Sequence, residues 1–174
     1  MAVYALGDRT PDIHPTAYVH PDAVVIGAVT LGPEATVWPC AVLRGDYGTI
    51  TVGARTSVQD GTVLHTTAEW PTVIGADCVV GHNAHLEGCT VEDRCLVGSG
   101  STVLNRAVVG TGGVVGAGAV LTEDAVVPPG HTALGVPARI RPGGIDEGWH
   151  DEAVALYVAN GRRYATELKR LDRP

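Results

Sequence analysis

From Ile13 onward an aliphatic side chain returns at every sixth residue. Ile13, Val19, Val25, Leu31, Val37 and Leu43 form one run, and Val91, Val97, Val103, Val109, Val115 and Leu121 form another. Between them the frame continues as Val52, Val58, Leu64, Ile74, Val80 and Leu86. It breaks three times: Leu43 to Val52 and Leu64 to Ile74 are too long, and Leu86 to Val91 is one residue too short. Four positions after each aliphatic the residue is usually small, as at Ala17, Ala35, Cys78, Ala84 and Ala119. Alternation in a short strand turns the aliphatic inward, and the small residue suits a corner where the interior narrows. Gly directly after the aliphatic, as at Gly81, Gly98, Gly110 and Gly116, permits backbone geometries that other residues resist. A unit this short can bury its apolar face only against the next copy of itself. With three six-residue sides to a coil, the frame predicts an all-β solenoid. It is a parallel β-helix of about six coils over residues 10–141, with strands stacked roughly 4.8 Å apart.

The hexad pattern resembles that of hexapeptide-repeat proteins, and the resemblance implies a left-handed β-helix, against the right-handed preference of ordinary parallel crossovers. The absence of Phe suits a narrow prism lined by Val and Leu. After Leu121 the pattern fades through "VVPPGHTALGVPARIRP". Trp149, Ala153, Leu156, Tyr164, Leu168 and Leu171 then fall on a helical face, which predicts a C-terminal α-helix over 146–172 packed on the coil, with Gly161 weakening its middle.

A formal charge of −7 gives no electrostatic reason to approach phosphates, so nucleic acid is not an expected partner. No segment has the ~18 uncharged apolar residues of a membrane span, and "MAVYALGDRT" lacks the pattern of a signal peptide. A cytoplasmic protein with no membrane partner is therefore expected. Cys40, Cys78, Cys89 and Cys95 lack C-x-x-C spacing and read as small buried fillers.

A coil of 18 residues plus insertions stacks residues that share a side and a hexad position. By that rule Arg44, His65 and Glu87 form one outward column on consecutive coils, the alternative being a solvated surface row. Two insertions, "GDYGTI" and "TTAEWPT", emerge beside it, and insertions on a regular solenoid commonly build a site. His82 lies on another side of the coil and points away from the column. A site using both would need two prisms side by side, as in a cyclic homotrimer with head-to-tail interfaces. His85 ends its hexad at a corner and reaches the column only with a shift of register. His14, His20, His131 and His150 read as surface residues.

"VLRGD", "RTSVQDGTVLH" and "VGHNAHLEGC" resemble motifs of the γ-class carbonic anhydrase family, including its bacterial members of the phenylacetate- and carnitine-operon type. The resemblance covers about residues 10–141. It implies a trimer with zinc, in some members iron or cobalt, held between subunits by three histidines. Carried across, the ligands are His65, His82 from the adjacent chain and, at the third position, Glu87 where the family has histidine. His85 is the alternative ligand. Zinc accepts two histidines and one carboxylate with an open fourth position. The carboxylate lowers the centre's net charge and makes bound water less acidic, so slow or absent hydration is expected. Arg44 and Asp46 match a family ion pair that crosses the interface. Gln59 and Asp60 match the family's Q-D, with Gln59 orienting water or bicarbonate. Tyr47 stands where a relative has a glutamate for proton transfer, leaving Glu69 as the nearest carboxylate for that task.

The resemblance thus implies reversible hydration of CO2 to bicarbonate. Three alternatives stay open: a hexapeptide acyltransferase with His65 or His82 as general base, a CoA-thioester hydrolase at the same site, and a non-catalytic trimeric scaffold.

Overall fold

In the computed structural model, which describes residues 2–172, parallel strands wind into a left-handed β-solenoid of about 7 turns closed by one C-terminal helix. The register proves the hexad frame. Val25 pairs with Leu43, Leu43 with Leu64, Leu64 with Leu86, Leu86 with Val103 and Val103 with Leu121, forming one inward column on one side. Leu31, Val52, Ile74 and Val91 are in register on another, so the three breaks fall where the pattern put them. These side chains are 0–1% exposed. Burying each Leu or Ile contributes on the order of 1.5–3 kcal/mol, which makes the stacked columns the main source of stability.

The corners explain the period. Glu34, Cys40, Arg55, Asp77, Asn83, Arg94, Arg106 and Asp124 have φ between 54° and 62°, and Gly100, Gly112, Gly118 and Gly130 hold the equivalent place where the repeat is unbroken. At these corners one left-handed residue three positions after the aliphatic reverses the chain, and the buried small residue follows it. The glycines after the aliphatic have a different cause from the one expected. Gly81 and Gly98 are not in the left-handed region; a Cβ there would lie 2.7 Å from the Ser99 amide and 2.5 Å from the Ala117 amide of the next coil. Close stacking demands them.

Several expectations are corrected. The hexad period continues for two sides past Leu121, where the sequence pattern fades: Val127 and Ala133 keep it, and His131–Leu134 pairs in parallel with Val114–Val115. Ala and Pro had obscured it. "GDYGTI" is not a loop but lies within one long strand, Val42–Val52, which turns from one side of the prism to the next. Cys78, Cys89 and Cys95 are buried as expected, whereas Cys40 is an exposed corner residue. Burial pushes the Cys89 thiol up to about 12, leaving it inert.

The helix runs Glu147–Glu167, capped by the Asp146 carboxylate, which accepts from the Trp149 amide at 2.8 Å. Its buried stripe is His150, Val154, Val158 and Gly161, not the predicted face; Trp149 and Leu156 are 51% and 56% exposed. The wall admits short side chains at Val154, Val158 and Gly161 and takes the larger His150 ring where a backbone carbonyl accepts from it. A Cβ on Gly161 would lie 2.7 Å from Thr36 Cγ2, so this glycine sets the closest approach. His150 is fully buried rather than at the surface, because its Nε2–H donates to the Asp77 carbonyl at 2.6 Å and ties the helix to a corner. His20 is also buried. Tyr18, Trp38, Tyr157 and Tyr164 fill the seam with edge-to-face and tilted contacts 5.1–6.1 Å between centroids.

Candidate functional site

Arg44, His65 and Glu87 stand on three adjacent strands in direct register, as the coil arithmetic requires. The His65 ring lies between two carboxylates: Nδ1 is 3.0 Å from Glu87 Oε1 and Nε2 is 3.2 Å from Asp46 Oδ1. Asp46 is ion-paired with Arg44. Burial acts to raise the Asp46 pKa, but hydrogen bonding to Arg44, its own backbone and His65, together with the Arg44 charge, outweighs it. The group is held below its ordinary value of 3.8. Tyr47 is 63% exposed, with its ring edge toward His65 at 6.5 Å between centroids. A neutral imidazole has one N–H and one lone pair. Here both nitrogens are engaged by carboxylates of the same chain, so His65 is arranged as a bridge rather than as a free base.

Two relationships in the column differ from expectation. The Arg44–Asp46 pair closes within one chain, because residues two apart on a strand share a face. For the same reason His85 needs no shift of register: it belongs to the strand His85–Glu87, and its Nε2 lies 3.3 Å from Glu87 Oε2.

His82 has a different setting. Val58 pairs with Val80, so Asp60 and His82 emerge side by side from successive coils, and Asp60 Oδ2 sits 2.9 Å from His82 Nδ1. This contact takes one ring nitrogen, and Nε2 makes no hydrogen bond among the described residues. The His82 side chain is 49% exposed and lines a cavity of about 480 Å³ between the solenoid wall and the C-terminal helix. Gln59 is buried in the same wall and lines the cavity together with Tyr157. Burial pushes the Tyr157 hydroxyl up and the Asp60 charge adds to the shift, so it remains a protonated donor. The Asp60–His82 pairing was legible in the spacing: both it and His65–Glu87 are 22 residues apart, one coil plus the inserted four.

A zinc ion would need at least three protein donors. One chain brings His65 and Glu87 together, but His82 faces elsewhere, and among the described residues no group of three His, Cys, Asp or Glu side chains could hold a metal ion. One chain alone does not supply the three-ligand set. No helix among the described residues is long and apolar enough to cross a membrane.

Comparison with known proteins agrees with this architecture. Residues 71–105 match the family model described as bacterial transferase hexapeptide (six repeats). The Escherichia coli carnitine operon protein CaiE is 43% identical over 101 residues, 58% of this chain, and the chain spans only about half, 52%, of that relative's length. Among solved structures, a Bacillus cereus protein provisionally described as an acetyltransferase is 29% identical, with a TM-score of 0.93 over 96% of this chain and 98% of its own. A perosamine N-acetyltransferase from Caulobacter crescentus, solved as a mutant with CoA and GDP-perosamine, is 28% identical over 75% of this chain and 56% of its own, with a TM-score of 0.56. A hexapeptide transferase family protein from Anaplasma phagocytophilum is 34% identical, covering 94% of this chain and 98% of its own with a TM-score of 0.89. With a relative this similar over nearly the full length of both chains, and the repeat visible coil by coil, the protein belongs to the hexapeptide transferase family.

Proposed function

We propose that this protein is an acyltransferase that draws its acyl group from a coenzyme A thioester, with His82 as general base. The observation that carries the reading is the Asp60–His82 pair: Asp60 fixes Nδ1 at 2.9 Å and leaves Nε2 free beside a cavity. His65, the other candidate base, has both nitrogens engaged. The CoA-bound acetyltransferase among the structural relatives supports the donor class. In the reaction His82 Nε2 takes the proton of the acceptor's N–H or O–H as that heteroatom attacks the thioester carbonyl carbon. The tetrahedral adduct collapses with loss of the C–S bond, and the thiolate leaves with the proton returned from His82. Asp60 stabilises the transient imidazolium. A positioned base of this kind is worth about 10²–10⁴ in rate. Water as acceptor would make the same step a thioester hydrolysis. Thiol release from acyl-CoA with amine, hydroxyl and no added acceptor tests the reading and separates the two outcomes; no release with any combination overturns it.

The His65–Glu87 contact favours a second reading. Two donors 3.0 Å apart can reach one cation, and His82 from a neighbouring chain of a trimer would complete the set. Those three side chains would hold a zinc ion, which would supply an acidified water for CO2 hydration. Elemental analysis of the purified trimer and stopped-flow hydration against a His65→Ala control test this reading.

A further inference from the structure

The C-terminal helix leaves Trp149 and Leu156 half exposed, although the stripe beside them is sealed against the solenoid. The two side chains are seven residues apart on the same face of the helix and form one wall of the 480 Å³ cavity that His82 also lines. Val79 and Leu96, from adjacent coils, form the opposite wall. A large exposed aromatic and a leucine facing an apolar wall across a concave space mark a binding groove more than a solvated surface. Its polar lining includes His82, Gln59 and Tyr157. No Lys or Arg is among its lining residues, and Glu152 and nearby Asp60 add negative charge. The diphosphate of coenzyme A would find no partner there, whereas an uncharged hydrocarbon would.

We infer that this groove holds the aliphatic acyl chain of the thioester, so that the enzyme selects medium-chain over acetyl donors. The inference rests on the acyltransferase reading for the orientation of the thioester, with its carbonyl at His82 and its chain running toward Trp149. An acetyl group would leave most of the cavity unfilled. Each further methylene moved from water into the groove contributes about fourfold, so octanoyl-CoA exceeds acetyl-CoA by at least about a hundredfold in kcat/KM.

The test uses the full chain with acetyl-CoA and octanoyl-CoA, and two variants. Ala153→Phe fills the groove from the helix side and lowers the octanoyl-to-acetyl ratio of kcat/KM at least tenfold; because the ratio is internal, any general loss of folded protein cancels. Trp149→Phe identifies the Trp149 emission, which shifts saturably on adding octanoyl-CoA to the unaltered chain and does so less in Ala153→Phe. A ratio near one that Ala153→Phe leaves unchanged, or turnover of octanoyl-CoA without any change in Trp149 emission, overturns the groove. So does Trp149 emission that depends on protein concentration and ignores octanoyl-CoA, which would show that a second copy of the chain covers the face. If no thioester is turned over while Trp149 responds to octanoyl-CoA and Ala153→Phe abolishes the response, the transferase reading fails and the groove stands.

Discussion

Asp60 and His82 sit side by side on successive coils, with the carboxylate 2.9 Å from the imidazole Nδ1. The carboxylate orients the ring and stabilises its charged form during proton transfer, but it does not itself receive the acceptor's proton. Asp60→Ala therefore lowers kcat/KM for thiol release by about tenfold or more, less than loss of His82 itself. A steady-state comparison of the two variants checks the order.

Asp46 carries a pH signature. Its carboxyl ionises more readily in the folded chain than at the ordinary value of 3.8, because the Arg44, backbone and His65 hydrogen bonds outweigh its burial. The group therefore stabilises the fold at pH above that ordinary value and loses the contribution as pH falls through the lower folded value. Thermal melting of Asp46→Asn against the unaltered chain should show a deficit at about pH 7 that shrinks toward zero near about pH 2. A deficit independent of pH would contradict the account.

His150 fastens the helix. Replacing it by Ala empties a fully buried site and strips the Asp77 carbonyl of its 2.6 Å partner. The expected loss is about 2–4 kcal/mol, measured by urea unfolding. His150→Gln, which keeps an N–H donor, should recover part of it.

Gly161 reverses an ordinary expectation. Ala in a helix interior is favoured over Gly by about 1 kcal/mol. Here the new methyl would meet Thr36 Cγ2 at 2.7 Å and Tyr18 Cβ at 3.3 Å. Thr36 is held in place by accepting from Trp38 Nε1 at 3.1 Å, so it cannot easily turn aside. Gly161→Ala should destabilise by about 1 kcal/mol; a gain in melting temperature would show that the helix does not sit this close.

The solenoid was legible because its cause is local and periodic: Leu43, Leu64 and Leu86 each report the same inward position, and register then follows by counting. Counting also placed Arg44, His65 and Glu87 in one column. What it could not give was side-chain direction within a strand, which is why His85 reads as a corner residue although it shares a strand face with Glu87. The helix misled for a related reason. Hydropathy favours Trp149 and Leu156 as its buried face, whereas the narrow clearance above Thr36 and Tyr18 selects His150, Val154, Val158 and Gly161. Trp149 and Leu156 instead line the cavity beside His82.

The central claim is that His82, and not His65, is the base. Thiol release from acyl-CoA by His82→Ala and His65→Ala, measured side by side on preparations of matched fold and assembly, tests it most directly. The account predicts a loss of about 10²–10⁴ in kcat/KM for His82→Ala, with His65→Ala retaining most of the activity. Activity that survives in His82→Ala and disappears in His65→Ala would contradict it.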